Sequence, residues 1–260
     1  MSQADNDLDL QLAYQQLLAL ERFKSGFLAR TSHELRSPIN TIVSLHQLIL
    51  EDLCESPQEE KDFVEQSKQA ALKMLALFDR IAAVSKLDAG REPPKIELVD
   101  LSFLIPEVEM LTALQTANQN VRYKVEAPTD ELEVSTDRRW LKNTLVALIQ
   151  DAIPHTKSLK LSVEKTDKSI NILIDCDRST TQLQAELNSV ESAVDCQLEE
   201  DSSKPSIEAA RNFPNPETLK LSTGLVLAIA KTTLPLIKGA FSIEAADVGS
   251  RIICSFPKYS

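Results

Sequence analysis

Glycine is what this chain most lacks. Gly26, Gly90, Gly224, Gly239 and Gly249 are the only five in 260 residues, where average usage of about 7% would supply roughly eighteen. So few glycines cannot build many loops that cradle phosphate, because close backbone approach and positive φ both favour glycine. Basic stripes are missing too. The chain has 28 Lys and Arg against 39 Asp and Glu, a formal charge of −11, which argues against a nucleic-acid partner. No run approaches the ~18 apolar residues of a membrane span. The polar, acidic start Met1-Ser2-Gln3-Ala4-Asp5-Asn6-Asp7 is no signal peptide. Cys54, Cys176, Cys196 and Cys254 form no C-x-x-C pair, which excludes a zinc knuckle or disulfide frame and fits a reducing compartment. These absences together predict a cytoplasmic protein.

What is present is helical periodicity. Hydrophobic residues make up 43% of the chain, enough for a globular protein. Residues 7–53 read as one helix, opened by Leu10, Ala13, Leu17 and Leu20 and closed by Leu45 and Ile49. Ser56 reads as the cap of a second helix, with Pro57 first and Glu59 third, running to about Leu87. Gly90 and Pro93-Pro94 stop it. Two long antiparallel helices sharing one apolar stripe cannot bury it alone, so the spacing predicts a dimeric four-helix bundle. An α/β layer is expected beyond Pro94. Its strands are near 96–101, 121–125, 159–163, 170–174, 240–244 and 251–256. Its helices cover 101–116, with Pro106 in the first turn, 140–153 and 223–237. Residues 179–216 read as polar and irregular, with an acidic stretch at 199–203.

One segment stands out within the first helix: Ser32-His33-Glu34-Leu35-Arg36-Ser37-Pro38-Ile39-Asn40. A proline costs about 3 kcal/mol in a helix interior, yet the apolar rhythm of Phe23, Phe27 and Leu28 resumes at Ile42, Leu45 and Ile49. This suggests a helix bent around chemistry. The plainer reading is a His–Glu pair on a solvated face, with Pro38 dividing two helices. His46 is expected to be solvated or at an interface, and His155 to pack. Neither has metal-ligand spacing.

With these elements placed, the chain resembles the transmitter core of sensor histidine kinases over nearly its whole length. The segment from Phe27 to Asn40 is similar to the family's H box, 83–90 and 99–104 to the exit from its dimerisation hairpin, 137–156 to its N box, and 222–231 to its glycine box. The resemblance implies a phosphoacceptor at His33 and an adjacent base at Glu34. A neutral imidazole nitrogen attacks phosphorus while a carboxylate holds the other ring N–H and shares the developing charge. Arg36 is then a candidate phosphoryl clamp, or an ordinary solvated arginine. Ser37 falls on the same helix face, where the family often carries threonine or asparagine to position water. The implied organisation is a dimerisation and phosphoacceptor domain over 1–92 and an ATPase-type domain over 93–260.

The nucleotide half departs from the family. The family's magnesium-bearing asparagine falls at Asp151, a residue that can itself ligate Mg²⁺. An earlier asparagine falls at Ala147 and a lysine at Pro154. The adenine-reading aspartate falls at Asp175 or Asp177, with no following glycine. Gly224 survives in the last box, but Ser222 and Val226 stand where lid glycines belong, and a β-branched residue resists φ > 0. ATP and Mg²⁺ are the cofactors the family implies, and these losses weigh against ATP-driven autophosphorylation. The expected function is two-component phosphorelay: His33 exchanges a phosphoryl group with an aspartate on a response-regulator receiver domain, which needs only positioning and an energy-rich P–N bond. An active kinase with a divergent pocket and a non-catalytic receiver-docking scaffold are the alternatives. The chain begins about thirty residues before His33, so input is expected from a separate sensor or kinase partner.

Overall fold

The computed structural model describes residues 31–32, 34–88, 93–128, 131–191 and 222–258, with backbone alone at 73, 76, 79–88 and 191. The expected helix before residue 31, His33, Gly90 and the acidic stretch 199–203 lie outside them. The chain divides into two compact units: residues up to Phe78 together with 188–225, and Asp79–Leu187 together with Val226–Ser260.

In the first unit, helix α1 runs through 34–50 and leads by a tight turn into α2 (Pro57–Asp88). Pro38 lies inside α1, buried, with helix on both sides, so the uninterrupted apolar rhythm is the correct reading. The Thr41 hydroxyl donates to the Ser37 carbonyl at 3.1 Å. Leu45, Leu48 and Phe63 form the hairpin core, joined by Ile49, Leu53 and Cys54. Ser56 Oγ accepts from the Glu59 N–H at 3.2 Å, while the Glu59 carboxylate reaches the N–H of Glu55.

The second unit is built on a mixed five-stranded sheet. Its strands are β2 (Arg122–Glu126), β4 (Ser158–Lys165), β5 (Ser169–Cys176), β6 (Ala240–Ala245) and β7 (Ser250–Pro257), in the order β2-β4-β5-β7-β6. Only β2–β4 is parallel. A separate antiparallel pair joins β1 (Glu97–Asp100) to β3 (Glu133–Thr136). The helices are α3 (Leu101–Asn118), α4 (Arg138–Ala152), α5 (Thr180–Glu191), whose last four residues fall in the first unit, and α6 (Thr223–Leu236), whose first three do. Aspartates start two of them. Asp100 accepts from the Ser102 N–H at 2.8 Å. Asp137 accepts from Trp140 N–H at 3.0 Å and from Lys95 N–H at 2.8 Å, filling donors that a helix start leaves open. A helical N-terminal part thus precedes an α/β sheet domain, as expected. Among the described residues no helix is long and apolar enough to cross a membrane.

Three details correct the sequence reading. Residues 180–191 are helical rather than irregular, because Leu183, Leu187 and Val190 recur at helical spacing and are buried. Strand β3 was not foreseen; its Val134 is fully buried opposite Val99. Pro106 is the sixth residue of α3, in its second turn.

The shortage of glycine shows at the helix ends. Asp52, Asn120 and Lys238 all have positive φ, at 55°, 54° and 66°. Each follows a helix and sits at the αL position of the same closing motif. Leu53 N–H donates to Leu48 C=O, Val121 to Thr116 and Gly239 to Leu234, at 3.0, 3.0 and 2.8 Å. Side chains therefore hold a conformation that most helices assign to glycine. Lys238→Gly relieves an αL penalty of roughly 1–2 kcal/mol and returns roughly 0.5–1 kcal/mol of chain entropy. The expected net gain is about 0.5–1 kcal/mol, with a smaller gain for Asn120→Gly because asparagine tolerates αL. Denaturant unfolding of the two variants measures both, and an unchanged or lower midpoint for Lys238→Gly contradicts the account.

Candidate functional site

The polar residues around the H-box segment sit on the first exposed turns of α1. Arg36 and Ser37 are exposed, and Glu34 is half-buried. Within the same unit, the Ser222 N–H, one residue ahead of α6, donates to Glu34 Oε2 at 3.3 Å. A carboxylate at a helix start is favourably placed with respect to the helix dipole. His33 itself lies outside the described residues. His46 is exposed, its Nε2 3.0 Å from the Ser67 hydroxyl across the hairpin.

The sandwich gathers its chemistry where α4, β5 and α5 meet. Asp151, near the end of α4, is met by Arg178 just beyond β5: Nη1 lies 3.2 Å from Asp151 Oδ2, with side-chain exposures of 5% and 8%. Arg178 Nη2 also reaches Glu186 of α5 at 3.3 Å. Breaking a buried pair of this kind costs about 3–5 kcal/mol, since it leaves a charge without its partner. Asp175 is likewise engaged. Arg251 stands opposite it in the β5–β7 ladder and donates through Nε at 2.6 Å and Nη2 at 2.9 Å. This bidentate bond, more than any other cause, lifts the Arg251 pKa.

Asp177 remains at the surface. Its carboxylate bonds the Thr156 hydroxyl and the Lys157 N–H, the latter at 3.1 Å. Burial pushes its pKa up, but the hydrogen bonds from Thr156 and Lys157 outweigh it and hold the carboxyl below its usual value. The β6–β7 turn closes directly against it. Gly249 has φ of +81°, and a Cβ there would lie 2.7 Å from Asp177 Cα, so glycine is required at this position. Gly224 and Val226 are buried in the first turn of α6. Neither has positive φ, the described residues with positive φ being Asp52, Asn120, Lys238 and Gly249. His155, expected to pack, is exposed.

Residues 23–90 match the model of the His Kinase A (phospho-acceptor) domain. The aerobic respiration control sensor protein ArcB of Escherichia coli is 29% identical over 160 residues, 60% of this chain and 20% of that protein. The cell-division control histidine kinase PdhS of Brucella anthropi is 27% identical over 135 residues, covering 51% and 13% respectively. Among solved structures, histidine kinase AdeS of Acinetobacter baumannii superposes with a TM-score of 0.60 at 18% identity, over 88% of this chain and 98% of that one. These matches support a sensor histidine kinase transmitter core. Histidine kinase ThkA, solved in complex with the response regulator TrrA, shares the fold at a TM-score of 0.59 and 19% identity, over 96% of this chain and 67% of that one. The core spans about a fifth or less of the length of these two curated relatives.

The sequence reading assigns to Asp151 the place of the family's magnesium-bearing asparagine. The residues present do not fit a magnesium ion. An ion at about 2 Å from a carboxylate oxygen would crowd the Arg178 guanidinium, which already neutralises Asp151 in a site closed to water. Of the two candidate adenine-reading aspartates, Asp175 is committed to Arg251 within the sheet, and Asp177 faces solvent. Arg178, Glu186, Thr156 and Arg251 had no role in the sequence reading. One signal was available for Arg178. A carboxylate in place of a neutral amide at a buried position calls for a cation, and arginine directly follows Asp177.

The depressed Asp177 pKa has a defined pH signature. A lowered folded-state pKa contributes stability above the unfolded value, and that stability is lost as pH falls through the folded value. Asp177→Asn is therefore expected to be less stable than the wild type at neutral pH, with the gap closing below the ordinary carboxylate range. Urea unfolding across a pH series tests this; a gap that persists at acid pH contradicts it.

Proposed function

We propose that this transmitter core works as a phosphoryl relay rather than as an ATP-driven kinase. His33, with Glu34 beside it, exchanges a phosphoryl group with a receiver-domain aspartate. In the direction toward histidine, an imidazole nitrogen attacks the acyl phosphate, the P–O bond breaks as the P–N bond forms, and the receiver carboxylate departs. Glu34 holds the remaining ring N–H and stabilises the positive charge. Arg36 and Ser37, exposed on the same turns, face the incoming phosphoryl group. The observation that carries this reading is an intact phosphoacceptor segment, matched over 23–90, together with a magnesium position whose Asp151 is already paired with Arg178. ThkA, similar in fold, was solved with a response regulator, which supports a receiver as the partner.

The proposed organisation places dimerisation and phosphoacceptance in 1–92 and an ATPase-type frame without its catalytic function in 93–260. The hairpin leaves Ile39, Val43, Val64, Leu72, Leu75 and Phe78 between 43% and 56% exposed, more apolar surface than one isolated helix pair would leave in water. A second copy of the hairpin is the proposed cover, giving a homodimeric four-helix bundle.

A phosphorylated receiver is expected to pass its label to the wild-type chain and not to His33→Gln. Incubation with labelled ATP and Mg²⁺ is expected to leave the chain unlabelled. Robust ATP-derived label that depends on His33 would establish an autokinase instead, and receiver binding without transfer would reduce the core to a scaffold. For the dimer, sedimentation should give twice the chain mass for wild type and the single mass for a folded Leu72→Asp, Leu75→Asp double variant. A wild-type monomer rules the bundle out.

A further inference from the structure

We propose that the Arg178 guanidinium is the resident counter-ion of the sandwich, taking the charge-neutralising place between Asp151 and Glu186 that a divalent cation would otherwise take. The inference deepens the proposal of an ATPase-type frame without its kinase function and rests on it. Asp151 is the next-to-last residue of α4, Arg178 follows β5 and Glu186 lies on α5, so three separate elements converge on one charge. The Nη1–Asp151 and Nη2–Glu186 distances are 3.2 and 3.3 Å, and the arginine side chain is 5% exposed. A planar fork can satisfy two carboxylates on different elements at once, which a point-charge lysine does less well.

The guanidinium is also part of the chain, so it is present at any metal concentration, whereas a free ion must be drawn from solution. An ion entering between the carboxylates would have to displace a buried, tethered cation or sit against it, in a medium where like charges repel strongly. The place between Asp151 and Glu186 is therefore closed to divalent cations and, with them, to a metal–nucleotide complex.

Metal rescue separates this role from a merely structural ion pair. The full-length wild type is expected to bind no Mn²⁺ by electron paramagnetic resonance and to melt at the same temperature in EDTA and in millimolar Mn²⁺. Arg178→Gln should melt lower in EDTA, gain stoichiometric Mn²⁺ binding and recover stability when Mn²⁺ is added. Adding Asp151→Asn to that variant should abolish both the binding and the recovery. If Arg178→Gln does not fold in EDTA, refolding in Mn²⁺ is the test: recovery supports the proposal, and none overturns it. Wild-type Mn²⁺ binding lost in Asp151→Asn overturns it as well, as does a folded Arg178→Gln that gains no Mn²⁺. These readouts do not involve His33, so failure of the relay and failure of the counter-ion are told apart.

Discussion

A carboxylate taken out of water must find a positive charge or give up its own. Asp151 is 8% exposed, and the charge it finds belongs to Arg178, from the same chain. Much of the sandwich's chemical character follows from that pairing. With the guanidinium in place, α4, the end of β5 and α5 are joined around one charge. Arg251 does the same for Asp175 across the β5–β7 ladder. Of these three aspartates, Asp177 alone faces solvent, with its charge stabilised by neutral donors.

The hairpin is organised the other way round. Its core is a short seam of Leu45, Leu48 and Phe63, and its polar groups are left outward at Arg36 and Ser37. Chemistry between two proteins needs accessible groups on a rigid element, and a helix carrying a buried proline without interruption is such an element. The hairpin thus presents exposed polar groups at Arg36 and Ser37, while within the α/β sheet domain Asp151 and Asp175 are each paired with an arginine of the same chain.

Much of the fold was legible from periodicity. The two hairpin helices, α3, α4, α6 and the β4–β5 pair all announce themselves by apolar spacing of 3.6 or 2. What escaped has a physical reason in each case. The apolar residues of α5, Leu183, Leu187 and Val190, share the helix with Thr180, Thr181, Asn188 and Ser189, which are weak helix formers. β3 is four residues long, and its partner β1 lies more than thirty residues earlier, so its stability comes from a non-local ladder. Scarcity of glycine was visible in composition, but its consequence was not. Only the backbone shows Asp52, Asn120 and Lys238 in the left-handed region.

The sequence by itself carried the resemblance to histidine kinases, through the order of its boxes around His33, and most of the secondary structure, because both are written in short-range spacing. It also placed Ser222 and Val226 where the resemblance expects glycine. Tertiary structure alone decided which acids are paired with arginine and which faces solvent. Asp151 and Arg178 are 27 residues apart in the chain, and Asp175 and Arg251 are 76 apart. Coulomb energy depends on distance and on exclusion of water, neither of which spacing along the chain encodes.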